Sequence, residues 1–204
     1  LDAFISRRFK RFEDLPRGAR VGTSSPRRQA QLRHARPDLR LELLRGNVDT
    51  RRRRLDEGQL DAILLACAGL ERLGIAHHIT QQLSVELSLP AVGQGVIGIE
   101  SRTDDQRSRT ALAALHHADS FTRLVAERSF AATLGGSCHS PIAAHATLDG
   151  GTLVVHGFIG APDGGETYHD RVSGPATEAE SLGRELARRM QAAGAETLLE
   201  RLRQ

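Results

Sequence analysis

The strongest constraint in this chain is a repeated switch between strand-like and helix-like patterning in its first third. Arg20-Val21-Gly22-Thr23 reads as the end of a strand. Ser24 or Ser25 then offers a helix cap, and Pro26 stands at the first helical position, where its missing N–H leaves no bond unmade. Pro37 ends that helix. Leu39, Leu41 and Leu43 alternate with Arg40 and Glu42, the pattern of a half-buried strand. Asn47 is placed to cap a second helix that runs to about Leu55. The apolar run Ala62 to Ala66 reads as a fully buried strand, and Gly69 to Leu73 as a short helix. This β-α-β-α-β order predicts a parallel sheet with helices packed on it.

Leu89-Pro90-Ala91-Val92-Gly93-Gln94-Gly95 breaks the alternation and reads as a hinge. Val96 to Glu100 is expected to be a strand and Asp104 to His116 a helix. Asp119 is expected to cap a further helix, which Gly135 stops. Beyond it the style changes. Ala143 to Leu148 and Thr152 to Phe158 flank Asp149-Gly150-Gly151, a hairpin signal. A third strand should follow Pro162-Asp163-Gly164-Gly165, and helices over 177–193 and 195–202 close the chain. The second half is thus expected to be α+β with an antiparallel sheet.

With 204 residues, 39% of them apolar and 26% charged, the chain can bury one large core or two small ones. It has no apolar run of membrane-spanning length and no basic-then-apolar leader, so a cytoplasmic protein is expected. It opens on Leu1, and its one methionine is Met190, from which residues are expected to be missing ahead of it. Lys10 is the sole lysine among 28 basic residues, so a Schiff base within this chain could use only Lys10 or the terminal amine. Aromatics make up 3% of the chain and none lies between Phe12 and Phe121, which argues against a stacking platform for nucleic acid.

Three constellations could carry chemistry. Thr23-Ser24-Ser25-Pro26-Arg27-Arg28 sets hydroxyls and guanidinium groups at a helix start, where free N–H groups and the helix dipole favour an anion. The plainer alternative is a cap followed by two surface arginines. Leu44-Arg45-Gly46-Asn47, with Arg51 to Arg54 after it, repeats that arrangement, although four consecutive arginines cannot share one helical face. Cys138, in Gly135-Gly136-Ser137-Cys138-His139-Ser140-Pro141, sits in a loop whose backbone N–H groups could favour a thiolate. Cys67 lies in an apolar run and reads as a buried hydrophobe. The pairs His77-His78 and His116-His117 have no partner at metal-ligand spacing, so no metal site is expected. Asp104-Asp105 reads as a helix start.

Six segments together resemble hydroxymethylbilane synthase (porphobilinogen deaminase). They are Val21 to Arg28, Leu44 to Val48, Ala68 to Gly74, Leu89 to Gly95, Gly135 to Ile142 and Gly160 to Gly164, in family order and at family-like spacing. The resemblance implies an α/β lobe similar to those of periplasmic-binding proteins over residues 1–90. Residues 91–116 would be the hinge and a returning segment of the family's first domain. Residues 117–204 would be a small α+β domain that anchors the cofactor. Cys138 matches the cysteine that holds dipyrromethane through a thioether. Thr23, Ser25, Arg27 and Arg28 match residues that hold the cofactor's acidic side chains. Arg45, Arg51 and Arg72 match arginines of the substrate and growing-chain site, and Gln94 matches a hinge residue near the cleft.

The implied reaction joins four porphobilinogen units into the linear tetrapyrrole hydroxymethylbilane with release of ammonia, by a monomer that binds neither nucleic acid nor membrane. A cleft lined with guanidinium groups suits a chain that gains carboxylates with each unit. The family's catalytic aspartate belongs to a Lys-Asp motif upstream of residue 1, and no Lys-Asp pair occurs here. The stretch alone is therefore expected to be inactive unless Asp49 or Asp61 replaces that carboxylate. The alternative is a small-anion binding or sensor module with an unmodified Cys138.

Overall fold

The structure, a computed structural model, describes residues 1–136 and 140–203. Its first sheet has five strands, β1 (Asp2–Ile5), β2 (Arg20–Gly22), β3 (Arg40–Glu42), β4 (Ala62–Ala66) and β5 (Gln81–Gln82), in the order β3-β2-β4-β1-β5. The trio β3-β2-β4 is parallel, as the alternation predicts. The sheet as a whole is mixed, because β1 runs antiparallel to both β4 and β5. The parallel sheet expected from the alternation is thus only part of a mixed one: β1 is a four-residue strand of which local patterning gave no sign.

Alternation along the strands feeds two cores. Ala62 and Leu64 of β4 join Phe4, Val21 and Leu32 on one face. Ile63 and Leu65 join Ala3, Ile5, Leu44 and Leu70 on the other. The helices start where their caps predict. Ser25 Oγ accepts the Arg28 N–H at the start of α1 (Pro26–Ala35). Asn47 Oδ1 accepts the Thr50 N–H at 2.8 Å at the start of α2 (Val48–Asp56). One local expectation fails. Leu43 is 55% exposed, because β3 ends at Glu42 and the turn delivers Leu44 to the core instead. Cys67 opens α3 (Cys67–Arg72) and is buried, as its apolar run predicts.

The hinge leads to a segment that corrects the strand expected over Val96 to Glu100. No strand forms there, residues 96–100 pair with neither sheet, and Val96, Ile97 and Ile99 stand exposed. α4 (Gln106–Ala113) follows, capped by Asp105. α5 (Ala118–Thr133) is capped by His117, whose Nδ1 accepts the Ser120 N–H, and not by Asp119. Asp119 lies inside the first turn, where its charge suits the helix dipole.

The second sheet is an antiparallel meander of β6 (Ile142–Asp149), β7 (Thr152–Gly160) and β8 (Thr167–Pro175). Gly150 and Gly151, both at positive φ, form the two-residue turn between β6 and β7. α5 and α6 (Ala179–Met190) cover one face around Phe130, Val155 and Leu186. Gly183 lets the two helices approach closely, since a Cβ there would lie 2.2 Å from the Ala126 carbonyl oxygen. After a kink at Gly194, α7 (Glu196–Arg203) ends the described chain. None of the described helices is long and apolar enough to cross a membrane.

A small separate core of Ala30, Leu89, Ala143 and Phe158 joins the two sheets' layers. Arg33 donates to the Pro162 carbonyl at 2.7 Å, and a ring nitrogen of His34 lies 3.2 Å from the Gly164 carbonyl. On α5, the buried Glu127 accepts the Gly93 N–H at 2.7 Å and the Ala146 N–H at 2.8 Å, which ties hinge to sheet. His169 stacks edge-on against Phe158 in this seam, with His34 beyond it.

Burial lowers the His169 imidazole below its usual value, and the neighbouring His34 adds to the effect. His145 is lowered as well, by burial first. The unfolded chain then binds protons at these sites more readily than the folded one. Stability is present above the free-histidine value of about 6.5 and is lost as the pH falls below it. The thermal midpoint should therefore drop between about pH 7.5 and 5.5, and His169→Phe should flatten that drop while keeping the ring contact. Calorimetry across this range checks it; an unchanged slope in the variant removes His169 as a cause.

Candidate functional site

Asp2 opens an otherwise apolar strand and is fully buried. A lone carboxylate could not remain ionised there. Five donor contacts surround it. Arg27 Nη1 and Nη2 lie 2.8 Å and 3.2 Å from its two oxygens, and Arg28 Nη2 lies at 2.7 Å. Ser88 Oγ donates at 2.7 Å and Gln94 Nε2 at 3.0 Å. Burial by itself would raise the Asp2 carboxyl, but the Arg27 and Arg28 charges and their hydrogen bonds outweigh it and hold the group far below the ordinary carboxylate range.

Local structure explains how two adjacent arginines reach one acid. Thr23 is buried, and its Oγ1 accepts the Ser25 N–H at 3.3 Å, which shapes the turn into α1. Capping by Ser25 fixes the first helical turn, and both guanidinium groups then extend over the ends of β1 and β4. Arg28 Nη1 donates to the Leu64 carbonyl at 3.2 Å, and Arg27 Nη1 donates to the Leu89 carbonyl. The surface alternative for these residues is overturned, since Arg27 is 4% exposed and Arg28 8%. Burial draws the Arg27 guanidinium down from its usual value, against the pull of Asp2. Among the described residues, neither Arg27 Nε nor Arg28 Nε has an acceptor.

Two cavities border this cluster, one lined by Arg27 and the other by Arg28. One of about 630 Å³ is lined by Ser25, Arg27, Gly93, Arg128, Gly136 and Ser140 among others. Its size suits a small-molecule site of roughly 300–1,000 Å³. Cys138 lies outside the described residues, between Gly136 and Ser140 in the chain. The other cavity, of about 290 Å³, is lined by Arg28, Gly46, Asn47 and Arg51. Arg51 Nε donates to the Gly46 carbonyl at 2.8 Å, and burial together with Arg28 lowers its guanidinium.

Of the residues expected at the site, Thr23, Ser25, Arg27, Arg28, Arg51 and Gln94 gather here. Arg45 and Arg72 do not join them; both are exposed and line neither cavity. Asp49 sits exposed in the first turn of α2. Asp61 accepts the Arg20 N–H at 2.8 Å and pairs with Arg8, away from both cavities. Asp2 was missed by sequence reasoning, although an acid heading the apolar run Ala3-Phe4-Ile5 is a signal that could have found it. No group of three or more metal-ligating side chains occurs among the described residues.

Residues 1–110 match the family model described as "Porphobilinogen deaminase, dipyromethane cofactor binding domain". The chain belongs to the porphobilinogen deaminase family. Residues 121–192 match that family's C-terminal domain. Porphobilinogen deaminase of Trichlorobacter lovleyi is 50% identical over 98% of this chain and 64% of its own length. That of Pelobacter propionicus is 50% identical over 100% and 65%, and that of Geobacter metallireducens 49% identical over 97% and 62%. The chain thus spans a little under two-thirds of these relatives.

Removing the charge at Asp2 leaves two buried guanidinium groups unpaired. Asp2→Asn should destabilise the protein by about 3–5 kcal/mol, whereas Ser88→Ala, which removes one neutral donor, should cost about 1 kcal/mol. Urea unfolding of both variants measures the difference, and equal losses would show that the ion pairs do not hold this region.

Proposed function

We propose that this chain forms the cofactor-anchoring and chain-holding part of a hydroxymethylbilane synthase, which links four porphobilinogen units with loss of ammonia. The observation that carries this is the buried pair Arg27 and Arg28, which line two cavities, one of them bordered by the residues that flank Cys138. On this reading residues 1–90 are a lobe like those of periplasmic-binding proteins, 91–116 a hinge and returning segment, and 117–204 the anchoring domain of a cytoplasmic monomer.

The residues present fit dipyrromethane. The cavity has room for a two-ring group, and its polar wall is cationic and hydroxylic, with Ser25, Arg27, Arg128 and Ser140 among its lining. Held by a thioether to Cys138, that group would supply the primer to which units are added. Thr23, Ser25, Arg27 and Arg28 would hold its acidic side chains, and Arg51, with Arg45, Arg72 and Gln94, the substrate and the growing chain. Porphobilinogen carries an acetate and a propionate. Forked guanidinium contacts to both would fix the orientation of each ring, which ammonium groups do less well.

A carboxylate near the pyrrole nitrogens is needed to stabilise the cation that forms when ammonia leaves. The buried acids described here are already committed, Asp2 to its five donors and Glu127 to two backbone N–H groups. The reading therefore takes that carboxylate from outside this stretch. Residues 1–204 supplied with porphobilinogen should release ammonia at least a hundredfold more slowly than a full-length relative, the usual loss for one preorganised group. Comparable turnover would mean that a carboxylate of this stretch does the work.

In the full-length protein, Cys138 should carry the added mass of two pyrrole units, and Cys67 none, because burial raises its thiol and keeps it protonated. Cys138→Ser should fold and lack that mass. Peptide mass mapping decides this, and an unmodified Cys138 in active protein would favour the small-anion binding module.

A further inference from the structure

Arg128 has no part in the sites assigned so far. It lies on α5, whose residues Leu124, Arg128, Ala131 and Ala132 line the larger cavity. Their spacing of four, seven and eight residues from Leu124 is one face of a helix. On that face Arg128 is the one charged side chain. The other charges of α5 nearby are engaged. Glu127 is buried on two backbone N–H groups, and Arg123 donates to the Asp119 carbonyl at 3.2 Å and to Ser120 Oγ at 3.3 Å. Arg128 is exposed, and no ion pair holds it among the described residues.

The opposite contribution to this cavity comes from the N-terminal half. Ser25 spends its hydroxyl on the helix cap, and Arg27 turns both Nη atoms to Asp2. Of the two guanidinium groups that line this cavity, the fork of Arg128 has no partner among the described residues, and Gly136 and Ser140, two residues either side of Cys138, line that same wall. A group with several carboxylates held in that cavity would meet it. Planar, two-pronged donation to a carboxylate is the task for which arginine is suited.

We propose that Arg128 is a binding residue that grips a side-chain carboxylate of the pyrrole group nearest Cys138, so that the two halves of the chain each supply a guanidinium to it. This rests on the reading of Cys138 given above. The contact orients the incoming acidic pyrrole while the anchor is being loaded. Because no ion pair or hydrogen bond holds it among the described residues, its loss should leave folding untouched.

The test uses full-length protein prepared without cofactor, supplied with porphobilinogen, and followed by intact mass as Cys138 is loaded. Arg128→Ala should load roughly tenfold more slowly and Arg128→Glu more slowly still, while Arg128→Lys, which keeps charge and loses the fork, should fall between Ala and the unsubstituted protein. Added salt should slow the unsubstituted protein more than Arg128→Ala. Thermal midpoints should agree among all four. Equal loading rates would overturn the proposal, and so would a lowered midpoint in Arg128→Ala that accounts for the slower loading. If the unsubstituted protein gains no mass at Cys138, the reading of the anchor fails instead.

Discussion

The carboxylate of Asp2 is buried at the head of an apolar strand, and nearly everything about the candidate site follows from how it is kept ionised. One negative charge faces two positive ones in a buried region, so the cluster carries a net positive charge. The pairing recovers the desolvation of the acid and leaves part of the desolvation of the arginines unrelieved. The unused Nε–H donors express the same imbalance in hydrogen bonds. An acidic ligand arriving beside this cluster would meet a field already set, with little rearrangement of the protein. The acid also fixes where the guanidinium groups are, which a long flexible side chain could not do for itself.

Helix α1 transmits this arrangement to the rest of the molecule. Its first turn carries Arg27 and Arg28. One turn later Gln31 brackets Leu89, donating to its carbonyl at 3.1 Å and accepting its N–H at 2.6 Å. Its last turn holds the Pro162 and Gly164 carbonyls through Arg33 and His34. The turn at Gly164 fits so closely that a Cβ there would lie 2.5 Å from the His34 backbone nitrogen. A single ten-residue helix thus sets the guanidinium pair, the entry to the hinge and the seat of the antiparallel sheet. From the far side, Glu127 holds the hinge at Gly93. The larger cavity lies between these two attachments, so its shape depends on both halves together.

Not every arginine belongs to this design. The run from Arg51 to Arg54 spreads around α2, so Arg51 reaches the small cavity while Arg53 is exposed and pairs loosely with Glu57. Consecutive residues on a helix diverge by about 100°, and one member of such a run can be functional while its neighbours are merely solvated. The exposed Val96, Ile97 and Ile99 form the complementary case, apolar residues with strand-like character and no neighbouring strand to pair with.

The caps at Ser25 and Asn47, the buried run Ala62 to Ala66 and the Gly150-Gly151 hairpin were all legible in the sequence. Each is a local matter, settled by the residue's own backbone preferences and its neighbours a turn away. The sequence did not reveal β1, the mixed sheet, the buried state of Arg27 and Arg28, or their partner Asp2, which lies 25 residues away from Arg27 along the chain. Whether an arginine is solvated or buried depends on which carboxylate the fold brings beside it. That is a long-range pairing, and local composition carries no record of it; only the tertiary structure could decide that two arginines which the sequence offered either as an anion site or as surface groups are buried together on one carboxylate.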